Sequence, residues 1–91
     1  MLKAIINAIL SLVSSREDAN LEAALDKQAA GKNLDWRHSI VDLMKLTDQD
    51  SSLAARKELA LELGYSGKLD GSADMNIWLH ARVMERLRAS L

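Results

Sequence analysis

Three groups of residues in this chain have types and spacings that could do chemistry. Asp48, Asp50 and Ser52 place oxygen donors at every second position, as the first ligands of a calcium loop do. The pattern stops there. Leu53 stands where such a loop needs its glycine, and Leu59 where it needs a bidentate glutamate, so these acids read as helix-capping groups. His38 and His80 are the two histidines. Each closes a Trp-x-His triplet, Trp36-Arg37-His38 and Trp78-Leu79-His80, which on a helix sets the imidazole at the edge of a buried face. Neither has a second histidine three or four residues away, and the His-Glu-x-x-His pattern of zinc hydrolases is missing. The serines are not set in a Gly-x-Ser-x-Gly elbow, and the glycine patterns of phosphate and dinucleotide loops are absent. With no cysteine, disulfides and thiolate metal sites are excluded. We therefore expect no cofactor and no metal, assign no catalytic residue, and read the chain as non-enzymatic.

The elements that would position these groups are helical. The chain has no proline and no phenylalanine, and its glycines stand only at positions 31, 64, 67 and 71, where joints are expected. Ninety-one residues suit a single domain near the lower end of what builds a core without staples. Leu2, Ile5, Ile6, Ile9, Leu12 and Val13 share one face of a first helix over residues 2–13. That run is too short for the ~20 apolar residues of a membrane span, and it fits a signal peptide poorly. It can dock on the domain, bind a partner, or lie on a membrane surface, the last weakened by Lys3 being its single cation. Residues 14–20 read as a polar linker. A second helix over 19–30 has Asp18 as its cap, a thin stripe of Leu21, Ala24, Leu25 and Ala29, and Gly31 as its stop. So alanine-rich a stripe should leave it the least anchored helix.

Asp35 is placed to cap a third helix with Trp36, Ile40, Leu43 and Met44 inward, and Asp50 to cap a fourth with Ala55, Leu59, Ala60 and Leu63 inward. Gly64 should end the fourth, with Tyr65 folding back on its last turn. A loop over residues 66–72 leads to Ser72, the expected cap of a last helix from Ala73 to about Ala89. Its stripe is Met75, Trp78, Leu79, Val83 and Leu87, broadened by Ile77 and Met84. The expected fold is an all-α bundle of four to five short helices. Residues 34–91 form its compact three-helix core, with residues 1–15 packed on it or tethered.

The wording of residues 35–46, 50–65 and 72–87 resembles the bacterial family known as domain of unknown function 3597. The resemblance spans about residues 33–89 and is weaker over the N-terminus. It implies a compact helical domain, found alone or beside other modules in bacteria and phages, and carries no assigned catalytic residues. A second, smaller likeness runs through residues 63–83. Leu63-Gly64-Tyr65, Asp70-Gly71 and the helix after them look like part of a three-helix peptidoglycan-binding module, without its Gly-x-x-Thr turn or closing Phe-Gln.

Function is therefore an expectation of class. The first reading is a protein-interaction or self-association module using Leu2, Ile5, Ile6 and Ile9. The second is a cell-wall binding accessory domain using the loop of Tyr65, Lys68 and Asp70. The third, ranked last, is a small hydrolase, which would need a polar pocket holding His38 or His80 beside a carboxylate. The formal charge of −1 hides no basic segment, so no nucleic-acid partner is expected. Absence of cysteine permits the cytoplasm, which we favour, without requiring it.

Overall fold

A computed structural model describes residues 2–11 and 21–90. Among them five helices run in order and no strand occurs: α1 Leu2–Leu10, α2 Leu21–Ala29, α3 Ile40–Leu46, α4 Leu53–Leu63 and α5 Ala73–Ala89. The all-α expectation holds. Leu12, Val13 and the cap expected of Asp18 lie outside the described residues.

Helix α5 is the axis on which the others are laid. Its Met75, Leu79, Val83 and Leu87 recur every fourth residue and are all buried, and α1, α3 and α4 pack on it. Ile5 and Ile9 of α1 are wholly buried in the same core, each worth about 1.5–3 kcal/mol of transfer free energy. The Leu2 amide adds a 2.8 Å bond to the Glu62 carboxylate of α4. A Cα radius of gyration of 12.8 Å stands close to the about 12 Å expected for a packed chain of this length, so α1 is docked rather than tethered. Ile77 does not broaden the α5 stripe. It is 67% exposed, because the helix turns that position away from α4 and the core.

Helices α4 and α5 begin with one device used twice. Ser52 and Ser72 are the N-caps, their hydroxyls accepting from the amides of Ala55 and Met75. Two residues earlier, Asp50 and Asp70 accept from the amides of those serines, each at 2.9 Å. Asp50 was expected to be the cap itself; it instead fixes the turn that presents the cap. Four residues past each cap, Arg56 and Asn76 reach back to the carbonyls of Ser51 and Gly71. They also join each other, Arg56 Nη1 donating to Asn76 Oδ1 at 2.8 Å. The two helix starts are thus pinned at one point.

Helix ends also follow local rules. Gly64 lies in the left-handed region at φ 87°, and the Tyr65 amide returns to the Ala60 carbonyl at 2.9 Å. Gly31 closes α2 with a similar φ. The same 6→1 closure ends α3, where Gln49 N–H donates to Met44 O at 2.8 Å, but Asp48 takes the left-handed position at φ 57°. Aspartate tolerates that region better than most side chains.

The third helix departs from expectation. It starts at Ile40 behind the cap Ser39, not behind Asp35, and residues 36–38 form a turn outside it. The reason is visible in the bonds. Asp35 turns its carboxylate to His38, its amide donates to the Asp42 carboxylate at 2.9 Å, and its carbonyl accepts from the Ser39 amide. Trp36 is buried all the same, entering the core from a turn.

Candidate functional site

The turn that displaces Trp36 from α3 also builds a cleft. Glu22 of α2, Trp36, Arg37 and His38 of the turn, and His80, Ala81, Met84 and Arg88 of α5 line an open volume of about 360 Å³. Three distant parts of the chain meet there, and each is held by named bonds.

Asp26 of α2 clamps the turn, one carboxylate oxygen accepting from Trp36 Nε1 at 3.1 Å and the other from Arg37 Nη2 at 2.7 Å. The guanidinium of Arg37 lies 4.5 Å from the centre of the Trp36 ring, a cation–π contact. Asp26, and after it Glu22, raises the Arg37 pKa above its already high ordinary value. From α5, His80 Nε2 lies 2.6 Å from the Trp36 carbonyl. A carbonyl only accepts, so Nε2 carries the hydrogen and Nδ1 is left as the acceptor of the neutral ring. His38 Nδ1 lies 3.1 Å from both carboxylate oxygens of Asp35, and its Nε2 has no hydrogen-bond partner among the described residues. The cleft therefore offers two guanidinium groups, one carboxylate, two oriented imidazoles and an apolar floor of Met84 and Ala81.

Chemically this set offers charge, hydrogen-bonding groups and apolar contact. Among the described residues that line it there is no serine, threonine or cysteine, so no hydroxyl or thiol nucleophile is seen there. Among the described residues no group of three or more His, Asp or Glu side chains is arranged to hold a metal ion. The pocket that the hydrolase reading requires, imidazole beside carboxylate, is nevertheless present.

The other candidate residues are placed as follows. Ile5 and Ile9 are buried, and Leu2 and Ile6 pack partly against the core, so the apolar face of α1 is spent on α5 and its neighbours. Tyr65 lies 4.8 Å from the Trp78 ring, centre to centre, and Asp70 serves the Ser72 turn. Of the three loop candidates, Lys68 is the exposed one without such a role. The chain brings neither group into the cleft. Arg37, Arg88 and Glu22 were not singled out from the sequence; only the paired Trp-x-His triplets pointed this way. No described helix is long and apolar enough to cross a membrane.

A small all-α domain with these helix joints falls within a defined class. The profile of the domain of unknown function DUF3597 matches residues 5–90, and the chain belongs to that family. A conserved unknown protein from Rhodopseudomonas palustris, solved in solution, is similar at 43% identity and a TM-score of 0.74, over 97% of this chain and 89% of that one. No curated protein matches.

Proposed function

We propose that this chain is a non-enzymatic binding module and that the cleft between α2, the 36–38 turn and α5 is its binding surface. One observation carries the reading. The cleft is where the fold gathers both histidines, two arginines and the Trp36–Arg37 stack around open space. The faces expected to bind from the sequence are used in folding, since Ile5 and Ile9 sit in the core and Tyr65 on Trp78. Recognition through α1 would first require removing it from α5. Recognition of cell-wall glycan through the 65–74 loop would rest on exposed Ser66, Lys68 and Asp74, with Tyr65 and Asp70 engaged in the fold.

Selection of displayed random peptides on the full chain tests this proposal. Enriched peptides should perturb the amides of Trp36 to His38 and His80 to Arg88, and lose affinity when Arg37 and Arg88 are both replaced by Ala. Peptides that map instead to α1, or selection that enriches nothing, would count against it. The hydrolytic reading draws support from the Asp35–His38 pair and His80 at the cleft. It requires turnover of an ester or amide probe that falls with His38→Ala or His80→Ala, and activity unchanged in both would end it.

A further inference from the structure

Glu22 stands on the wall of the cleft between two cations. Its Oε2 is 3.6 Å from Arg37 Nη1, and its Oε1 is 4.0 Å from Arg88 Nη2. Charge-assisted hydrogen bonds run at about 2.7–2.9 Å, so Glu22 reaches neither guanidinium closely. Asp26 does reach, at 2.7 Å from Arg37 Nη2. One carboxylate is thus stretched across two arginines, in front of open volume.

Resting on the binding-module reading above, we propose that the cleft takes a carboxylate of a partner peptide between Arg37 and Arg88, and that Glu22 is its built-in competitor. A guanidinium fork matches a carboxylate geometrically and gains most when two parallel bonds form, which Glu22 at its present distances does not achieve. With Arg37 Nη2 held by Asp26, a carboxylate entering from solvent can approach Arg37 Nη1 and the Arg88 fork without the constraint of a helix backbone. The rest of the lining suits a short peptide: Met84 and Ala81 give an apolar floor for the neighbouring side chain, and the imidazoles present polar edges. A volume of about 360 Å³ holds a carboxylate with one or two residues attached.

Isotope-labelled full-length protein, titrated with three acetylated tetrapeptides up to roughly 10 mM, tests the proposal. One carries Glu and an amidated end, one Gln and a free C-terminal carboxylate, and one Gln and an amidated end. A carboxylate peptide should shift the amides of Arg37, His38, Ala81 and Arg88 and bind at least about fivefold more tightly than the neutral one. Whichever of the first two binds better identifies the source of the carboxylate. Glu22→Gln should tighten binding by about two- to fivefold, the size of a surface ion pair relieved, and Arg88→Gln should weaken it as much or more. Both side chains are more than half exposed (53% and 61%), so the variants keep the fold. Equal binding of the neutral peptide would end the carboxylate assignment while leaving the cleft as a binding surface. An unchanged affinity in Glu22→Gln, no shift with any peptide, or inorganic phosphate shifting the same amides as strongly would also overturn it.

Discussion

Helices α1 and α2 are both nine residues long and each buries two large aliphatic side chains, yet they differ in what surrounds those anchors. The first is held by bulk: Ile5 and Ile9 are fully enclosed, and Leu2 and Ile6 pack beside them. The second buries Leu21 and Leu25, packs Ala29 beside them, and adds polar contacts, with Asp26 on Trp36 and Arg37 and Glu22 between Arg37 and Arg88. Apolar docking needs no particular partner and leaves nothing to exchange. Polar docking across a cleft rim leaves groups that a ligand can compete for. The binding surface we propose lies beside α2, where such groups line open volume, and not on α1, whose apolar residues are packed in the core.

The contrast can be broken at its strong end first. Ile9→Ala should destabilise the domain by about 2–5 kcal/mol, through lost transfer energy and an unfilled cavity, seen as a lowered midpoint in urea. Asp26→Ala should be milder, about 1–2 kcal/mol, from leaving the Trp36 indole N–H unpaired with the exposed Arg37 pair adding little. Its loss should be concentrated in hydrogen-exchange protection of α2 and should leave α1 protected. Equal loss in both helices would erase the distinction. Ser52→Ala acts on the shared α4–α5 junction and should cost about 1 kcal/mol, lowering protection of α1 and α2 alike.

The smallest effect is one of pH. Hydrogen bonds from the Ser52 and Ser72 amides, then from their hydroxyls, hold the carboxyls of Asp50 and Asp70 below the ordinary range. A depressed folded value means the stabilisation is present above the unfolded value near 3.9 and is lost as pH falls through the lower folded one. The double variant Asp50→Asn, Asp70→Asn keeps an oxygen acceptor for each serine amide. Its melting temperature should therefore fall less steeply below about pH 4 than that of the parent.

Much of the fold was legible because its signals are local. The Ser72 cap, the Gly64 stop, and the buried stripes of α4 and most of α5 each follow from residues within one or two turns. Where local signals competed, reading failed. Asp35 and Ser39 are both good caps, and Ser39 takes the Asp42 amide because Asp35 is engaged by the Asp42 carboxylate, by His38 and by the Ser39 amide. Ile77 looks apolar enough for the stripe but falls outside its angle. The cleft was not legible. It joins residue 22 to residues 36–38 and 80–88, and no helical period encodes that meeting. The duplicated Trp-x-His triplet marked both histidines, yet Trp36 lies in a turn and Trp78 in a helix, so the likeness of spacing hid a difference of structure.

The pinned start of α4 and α5 has a consequence for the order in which the chain folds. Its caps and turns close over two to five residues, and the Arg56–Asn76 bond over only 20, so the junction can assemble at small loop-closure cost. The seating of α1 instead joins the two ends of the chain, as the Leu2–Glu62 bond across 60 residues illustrates. A nucleus at the junction, with α1 arriving after the barrier, follows from that disparity. Stopped-flow kinetics should then show Ser52→Ala slowing folding, while Ile9→Ala mainly speeds unfolding.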